Sequence, residues 1–339
     1  MTDWANGYSC EWEVRRVNTA TWAATERVGG ITSMSIKKSA TGAVPLIESA
    51  SVEADVEFES GWYTIFMIAD RAESHAVGTF MLEQTSRSLT QARRLHDYIG
   101  YSVLKPADET IVTVGSYVEK GSNGVEEAAR ILRSCIQAPV TTSGWFSLSD
   151  NIVLSIGMSK LAAAWAILSA GGYVIKIDGY GRVSIVANDT EPQLRLTPEN
   201  SNILMPSIES SDKTVGIPNR YYAVSGALVA TATNTDPESP TSYQSRGRWV
   251  DACDKAPKRV NGETLQEYAE RRLREESTVT SSIKYKREYV PDVVPFSMVR
   301  VDLPALGLFG DYVVESQSLT CGNGISVEET AGRKVALWR

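Results

Sequence analysis

From residue 283 to residue 329 the apolar side chains recur at every second position. Ile283, Tyr285 and Tyr289 alternate with Lys284, Lys286 and Glu288; beyond Pro291 and Pro295, Val299, Val301 and Leu303 alternate with Arg300 and Asp302. A Gly-bounded loop at residues 306–310 leads into a run at 312–319, and Gly322-Asn323-Gly324 turns the chain into Ile325, Val327 and Glu329. A helix cannot gather this pattern on one face, because its side chains return about every 3.6 residues. Runs of period two punctuated by Pro and Gly predict an antiparallel β unit with one wet face. Nothing in the stretch has the look of an active site.

The same alternation governs residues 11–105. Trp12, Val14 and Arg16 alternate with Glu13, Arg15 and Val17, and the chain resumes at Thr21-Trp22 after Asn18-Thr19. Over residues 44–58, Ile47, Ser49, Ser51, Glu53, Asp55 and Glu57 oppose Ala50, Val52, Ala54, Val56 and Phe58, which predicts one long half-buried strand. Ser60-Gly61 introduces a strand at 62–68, and Gly78 introduces one at 79–83. Leu89, Ala92, Arg93 and His96 have helical spacing, but the Ser and Gly around residues 88–98 suit a loop entering a strand at 98–104, which is the expectation. Strands this closely spaced imply a barrel or sandwich.

The middle of the chain changes character. Asn123 can cap a helix carrying Val125, Ala128, Ala129, Leu132 and Ile136, with Pro139 beyond its end. A second helix begins near Ser159, presents Leu161, Trp165 and Leu168, and stops at Gly171-Gly172. A hairpin follows, turning at Asp178-Gly179-Tyr180-Gly181. The remainder returns to β, with strands at 220–224 and 227–232 and a polar stretch at 234–248 expected to be a long exposed loop. One helix starts at Thr264, where Thr264-Leu265-Gln266-Glu267 fits a capping box; Leu265, Tyr268, Ala269 and Leu273 form its stripe, and Glu267–Arg271 and Glu270–Arg274 are expected as i,i+4 pairs. The 339 residues allow two or more domains. They divide as an N-terminal β domain at 1–105, a small α+β domain at 106–190, and a C-terminal β domain with one helix at 191–339.

A search for chemistry ends without catalytic, cofactor-binding or metal-binding residues. Cys10, Cys135, Cys253 and Cys321 stand far apart and the only histidines are His75 and His96, so zinc-ligand spacing is absent and buried thiols in a reducing compartment are expected. His75 and His96 read as loop residues. A Ser-His-Asp set drawn from Ser74 or Ser102 lacks a nucleophile elbow. Glu53, Asp55, Glu57 and Glu59 read as a solvent face or interface, not as paired glycosidic acids. The Gly-rich spots at 171–173 and 178–181 match no phosphate-binding fingerprint. Of eight tryptophans, Trp249 and Trp338 have the polar neighbours of a partner surface, and most sit in alternating runs or on an apolar helix face, which fits core packing. Asn188-Asp189-Thr190 is a glycosylation sequon without meaning in a chain that is not secreted. The net charge of −7 argues against a nucleic-acid coat. The N-terminus has no secretion signal, and residues 161–177 are too short and mixed to span a bilayer.

This β, α+β, β order is joined by specific segments: Tyr101-Ser102-Val103-Leu104-Lys105-Pro106, the hairpin ending in Gly179-Tyr180-Gly181, Pro218-Asn219-Arg220-Tyr221-Tyr222-Ala223-Val224-Ser225-Gly226, the loop at 236–248 with Arg246-Gly247-Arg248, the helix at 265–276, Val290-Pro291-Asp292-Val293-Val294-Pro295, and Gly310-Asp311-Tyr312-Val313-Val314-Glu315-Ser316. Together they resemble the baseplate hub proteins of phage tails and contractile injection systems, a family that includes the tail-associated hub of long-tailed phages. The resemblance implies a mainly β chain with an α+β insert, in which two tail-tube-like β-barrel or sandwich domains flank small α+β domains. It implies a homotrimer whose six tube-like domains continue a hexameric tail tube.

The expected role is therefore a structural virion protein and not an enzyme: a trimeric baseplate or tail-tip hub joining the tail tube to the distal tip. Expected partners are the tail tube or a distal tail protein ring, the tape measure protein, and spike, fibre or receptor-binding proteins. DNA would pass only in transit during genome ejection, and no cofactor or membrane segment is implied. The chain would be assembled in the host cytoplasm and reside in the tail tip or baseplate of the virion. Longer members carry a C-terminal wall-cleaving or fibre domain, and the end at Arg339 leaves any such activity to another protein. The competing readings are a tail-tip cell-wall hydrolase and a carbohydrate-binding β protein using the tryptophans as stacking platforms.

Overall fold

The computed structural model describes residues 9–28, 30–40, 47–70, 73–90, 93–197, 204–212, 216–255, 257, 263–291, 293–322 and 324–336. The chain divides into two compact units, one of residues 1–208 with 284–331 and one of residues 209–283 with 332–339. It is mainly β with few helices, as the alternation predicts.

The first unit begins with β1 (Cys10–Asn18), β2 (Ala23–Val28), β3 (Ile31–Ser39), β4 (Ile47–Ala54), β5 (Gly61–Ala69), β6 (Glu73–Thr90) and β7 (Arg93–Ser102). All pair antiparallel, in the spatial order β3-β4-β7-β6-β5-β1-β2. β5, Gly-Trp-Tyr-Thr-Ile-Phe-Met-Ile-Ala, is buried along almost its whole length. Tyr63, Ile65 and Met67 face the core of the sheet, while Trp62 belongs to the core of the α+β module. A continuous apolar run is what a strand covered on both faces requires. Opposite Ile65 and Phe66 the register slips from Gly78 to Ala76, leaving Val77 as the extra residue of a bulge.

Two expectations change here. Residues 88–98 form neither a loop nor a helix: they lie in the β6–β7 hairpin, with Leu89 opposite Arg94 and Ser88 opposite Leu95. β7 also pairs with β4 from Ala54↔His96 to Ser49↔Tyr101, so ladders on both edges override the local helical spacing. Within the run at 44–58, residues 44–46 lie outside the described residues and the strand spans Ile47–Ala54; Phe58 is buried beyond its end, where it packs on Tyr63 and Tyr98.

The α+β module follows, with α1 (Lys105–Glu109), β8 (Ser116–Val118), α2 (Gly124–Arg133), β9 (Val140–Thr142), β10 (Ile152–Leu154), α3 (Lys160–Ser169), β11 (Tyr173–Ile177) and β12 (Val183–Ala187). Asn123 caps α2 by accepting from the Val125 N–H at 3.1 Å, and Ser159 caps α3 by accepting from Ala162 N at 3.1 Å. Val125, Ala128, Ala129 and Leu132 of α2 and Leu161, Ala164, Ile167 and Leu168 of α3 share one core with β11 and β12. Trp165 is not central to that core; its ring stacks on Phe296 at 5.5 Å.

β13 (Leu194–Leu196) and β14 (Leu204–Asp212) lead to the second unit, which holds β15 (Arg220–Ser225), β16 (Leu228–Thr233), α4 (Tyr243–Arg246), β17 (Asp251–Asp254) and α5 (Leu265–Glu276). β15 pairs antiparallel with β16 and parallel with β17. Tyr268, Ala269 and Leu273 of α5 cover Tyr221, Ala223, Ala230 and Ala232. The Thr264 capping box is formed in both directions. Because Glu267 turns back to Thr264, it does not serve the expected pair with Arg271, which instead bonds to Glu263 at 2.7 Å and Glu275 at 2.9 Å. The stretch at 234–248 is largely exposed, as expected, but it is folded around α4: Asn234, Ser239, Thr241 and Ser242 are buried and joined by Asn234 Nδ2 donating to Ser239 Oγ at 2.9 Å and the Ser239–Thr241 hydroxyl contact at 3.2 Å.

β18 (Thr278–Glu288), β19 (Met298–Leu303), β20 (Leu308–Cys321) and β21 (Ile325–Ala336) close the chain. β20 pairs antiparallel with β3 from Ser316↔Ser39 to Cys321↔Met34. That ladder joins N-terminal and C-terminal strands into one thirteen-stranded sheet, continuing through β21 and β18 to β14, with β19 and β13 beside β20. Leu319, Cys321, Ile325 and Val327 accordingly share a core with Val14, Ile36, Val52 and Ile65.

Candidate functional site

The residues with catalytic potential are dispersed and engaged with neighbours. Both histidines lie in strands, not loops. His96, in β7, is buried with Nδ1 2.9 Å from Gln84 Nε2, and His75, in β6, has Nε2 3.4 Å from the Glu73 carboxylate. Ser102 Oγ accepts from Leu104 N at 3.3 Å. Glu53 accepts from the Thr32 hydroxyl at 2.6 Å, Glu57 pairs with Arg87, and Glu59 pairs with Arg16 at 2.8 Å. These acids each face a different partner. Burial pushes the Cys10 thiol up to about 11 and the Cys321 thiol up to about 12, which disfavours the nucleophilic thiolate. Among the described residues no cluster of three or more His, Cys, Asp or Glu is disposed to hold a metal ion, and no helix is long and apolar enough to cross a membrane.

The Gly-rich turn at 178–181 has a mechanical use. The hairpin tip presses onto β6 so closely that a Cβ on Gly179 would lie 1.8 Å from the Ala76 carbonyl oxygen. Thr79 Oγ1 donates to Gly179 O at 3.0 Å, Trp22 Nε1 donates to Tyr180 O at 3.0 Å, and Phe66 meets the Tyr180 ring edge-on at 5.8 Å. Trp22 and Trp62 meet at a tilt beneath the same joint, with ring centroids 5.7 Å apart. A cavity of about 230 Å³ beside it is lined by Lys38, Lys176, Asp178, Ser184 and Tyr289. Both of its ammonium groups are matched, Lys38 to Glu48 at 3.2 Å and Lys176 to Asp189 at 2.8 Å. The cavity therefore offers an anion no uncompensated positive charge, and the joint is built to hold the module on the sheet.

The C-terminal strands contain a charged cluster that sequence reasoning passed over. Arg287 is fully buried and bonds bidentately to the buried Glu329, Nε to Oε2 at 2.8 Å and Nη2 to Oε1 at 2.5 Å. Gln317 Nε2 donates to the same carboxylate and to Val293 O at 2.7 Å. Tyr285 lies alongside; burial, then the Glu329 charge, push its phenol well above the ordinary range. The signal was present in the alternation: Arg287 occupies the apolar parity of Ile283 and Tyr285, and Glu329 that of Ile325 and Val327.

In the second unit, the Arg220 guanidinium bonds bidentately to Asp251 at 2.7 and 2.8 Å and lies 4.6 Å over Trp249 and 5.4 Å over Tyr222. Tyr243 stacks on Trp249 at 4.4 Å. The indole surface a sugar ring would need is thus already contacted by two of the protein's own side chains. Trp4 and Trp338 lie outside the described residues.

No protein-family model matches the sequence, and no curated protein matches it. The fold is shared with solved tail proteins. A tail protein from Neisseria meningitidis aligns with a TM-score of 0.63 at 13% identity, covering 96% of this chain and 97% of that one. The 43 kDa tail protein of prophage MuSo2 from Shewanella oneidensis aligns with a TM-score of 0.62 at 12% identity, covering 95% and 98%. A component of the E. coli type VI secretion system, itself structurally similar to bacteriophage T4 tail proteins, aligns with a TM-score of 0.51 at 10% identity, covering 91% and 77%. The chain has the fold of phage tail proteins and their secretion-system counterparts.

Proposed function

We propose that this protein is a structural component of a phage-type tail, a homotrimeric baseplate or tail-tip hub that joins the tail tube to the distal tip. The observation that supports it most directly is the β3–β20 ladder, which places N-terminal and C-terminal β halves in one continuous sheet within a single chain. A ring of three such chains offers six β halves to a six-fold tube. In this reading the tube-like halves are those of residues 1–105 and 191–339, and residues 106–190 form the module clamped onto the first. The near-complete alignment with two tail proteins supports the same assignment.

The work of such a hub is mechanical. Its ring stays closed on channel-filling, tape measure or spike proteins, then opens when contact with the host is transmitted through attached receptor-binding components. DNA passes through the channel in transit, and the residence is the virion tail tip. Among the described residues, the candidate acids of the hydrolase reading are each engaged by a different partner, and Trp249, the aromatic candidate of the carbohydrate reading, is contacted by Arg220 and Tyr243.

Mass photometry and negative-stain imaging of the purified chain, alone and with its cognate tube subunit, test the proposal. Particles of three times the chain mass with threefold symmetry are expected. A strictly monomeric protein in both mixtures, or one that releases fragments from peptidoglycan, would overturn it.

A further inference from the structure

Cys10 and Cys321 stand on either side of a joint that no ladder closes. β1 pairs with β5 and β2, and β20 pairs with β3, β19 and β21, so among the described residues no strand pairing joins β1 to β20. The two strands nonetheless touch at one end. Trp12 Nε1 donates to Gly322 O at 2.8 Å, a bond between positions 310 residues apart. A cavity of about 410 Å³ opens beside it, lined by Cys10 and Trp12 from β1, Ile31 and Met34 from β3, and Cys321 and Gly322 from the end of β20.

The two thiols also share a core. Cys321 is 5% exposed within the cluster of Val14, Met34 and Ile325, and the half-buried Cys10 packs against the same cluster. Cys10 and Trp12 lie two residues apart and so occupy one face of β1. The bond that brings the indole to Gly322 therefore turns Cys10 toward the same end of β20. Burial raises both thiols, Cys10 to about 11 and Cys321 to about 12, and the charge of Cys10 adds to the rise at Cys321. That influence puts the sulfurs within electrostatic reach of each other. The remaining cysteines are placed differently. Cys135 donates to the Ile131 and Leu132 carbonyls at 3.4 and 3.3 Å, and Cys253 is exposed on β17 in the second unit. A thiol alone in a core acts as a small apolar side chain. Two thiols on one cavity, with open volume for their side chains to turn, can be oxidised as a pair.

We propose that Cys10 and Cys321 form a redox pair, whose oxidation by a small-molecule disulfide closes the β1–β20 joint with an intrachain disulfide. The step is an exchange in two parts. The Cys10 thiolate, the more accessible of the two, attacks the small disulfide and expels one thiol; the Cys321 thiolate then attacks Cys10 Sγ and expels the other. The protein thiols give up two electrons and two protons, and one small disulfide is reduced to two thiols. The loop so closed encloses nearly the whole chain, the second unit included, and a cross-link across a long loop constrains the unfolded chain strongly. The inference stands apart from the trimer reading, because both thiols lie within one chain.

Incubating the full chain carrying Cys253→Ser, which removes the exposed thiol, with oxidised glutathione tests it. Intact mass and peptide mapping after alkylation are expected to show a chain lighter by two hydrogens, joined through Cys10 and Cys321, with Cys135 alkylated. The rate is expected to rise about tenfold per pH unit between pH 7 and 9, since both thiols remain largely protonated over that range. The thermal midpoint is expected to rise by about 5 °C on oxidation and to fall back on reduction. Cys10→Ser and Cys321→Ala each remove the joined peptide. A glutathione adduct that persists on Cys10 means that the sulfurs cannot meet, and it overturns the proposal. So do disulfides formed only between chains, a rate unmoved by pH, or two free thiols after oxidation at pH 9. The trimer mass measured in parallel tells failure here from failure of the hub reading.

Discussion

Arg287 and Glu329 show how much a single residue position can demand. Two charges held in the core lose hydration, and their attraction offsets that loss only because both guanidinium bonds and the Gln317 donor are in place. Removing one partner strands the other. Arg287→Met is therefore expected to destabilise the first unit by about 3–5 kcal/mol, whereas Arg287→Met combined with Glu329→Leu recovers most of the loss. Urea unfolding of both variants measures it; equal losses would show that the pair contributes shape and not charge. The pair was legible in principle, because each charge breaks an apolar alternation. What the sequence does not display is that the two breaks meet, since 42 residues separate them. The hairpin tip at Gly179 is similar. Asp-Gly-Tyr-Gly announces a turn, but only the folded chain shows the Ala76 carbonyl that excludes a side chain there.

At the scale of elements, local signals succeeded where the local interaction is also the final one. Asn123, Ser159 and Thr264 were readable as helix starts because a cap is settled within about four residues. Thr264→Ala is expected to cost about 1 kcal/mol and to raise amide exchange in the first turn of α5, read by hydrogen exchange; unchanged protection would mean that packing on Tyr221 alone holds the helix. Signals failed where elements compete. Glu267 could serve Arg271 or the cap, and the cap won. Residues 88–98 could coil, but two strand edges claimed them. The polar composition of residues 234–248 could not distinguish a solvated loop from one that buries its own hydroxyls. The antiparallel pairing of β8 with β10 was least visible, because α2 and β9 intervene between them.

For the whole molecule, period-two alternation was enough to establish a mainly β chain with an α+β insert, and the order of segments pointed to the tail-protein fold. The joining of the two β halves through β3 and β20 lay beyond it, because no pattern within either strand names its partner. The chain leaves the first unit through β14 and returns through β18, its immediate neighbour in the sheet. Replacing residues 213–277 with a short Gly-Ser linker is therefore expected to leave a folded first unit with a single cooperative melting transition, measured by calorimetry. Loss of that transition would make the two units one folding body. A path that departs and comes back on adjacent strands also has an evolutionary meaning. It is a grafting point, where an outgrowth can be enlarged, exchanged or discarded while every other strand keeps its neighbours.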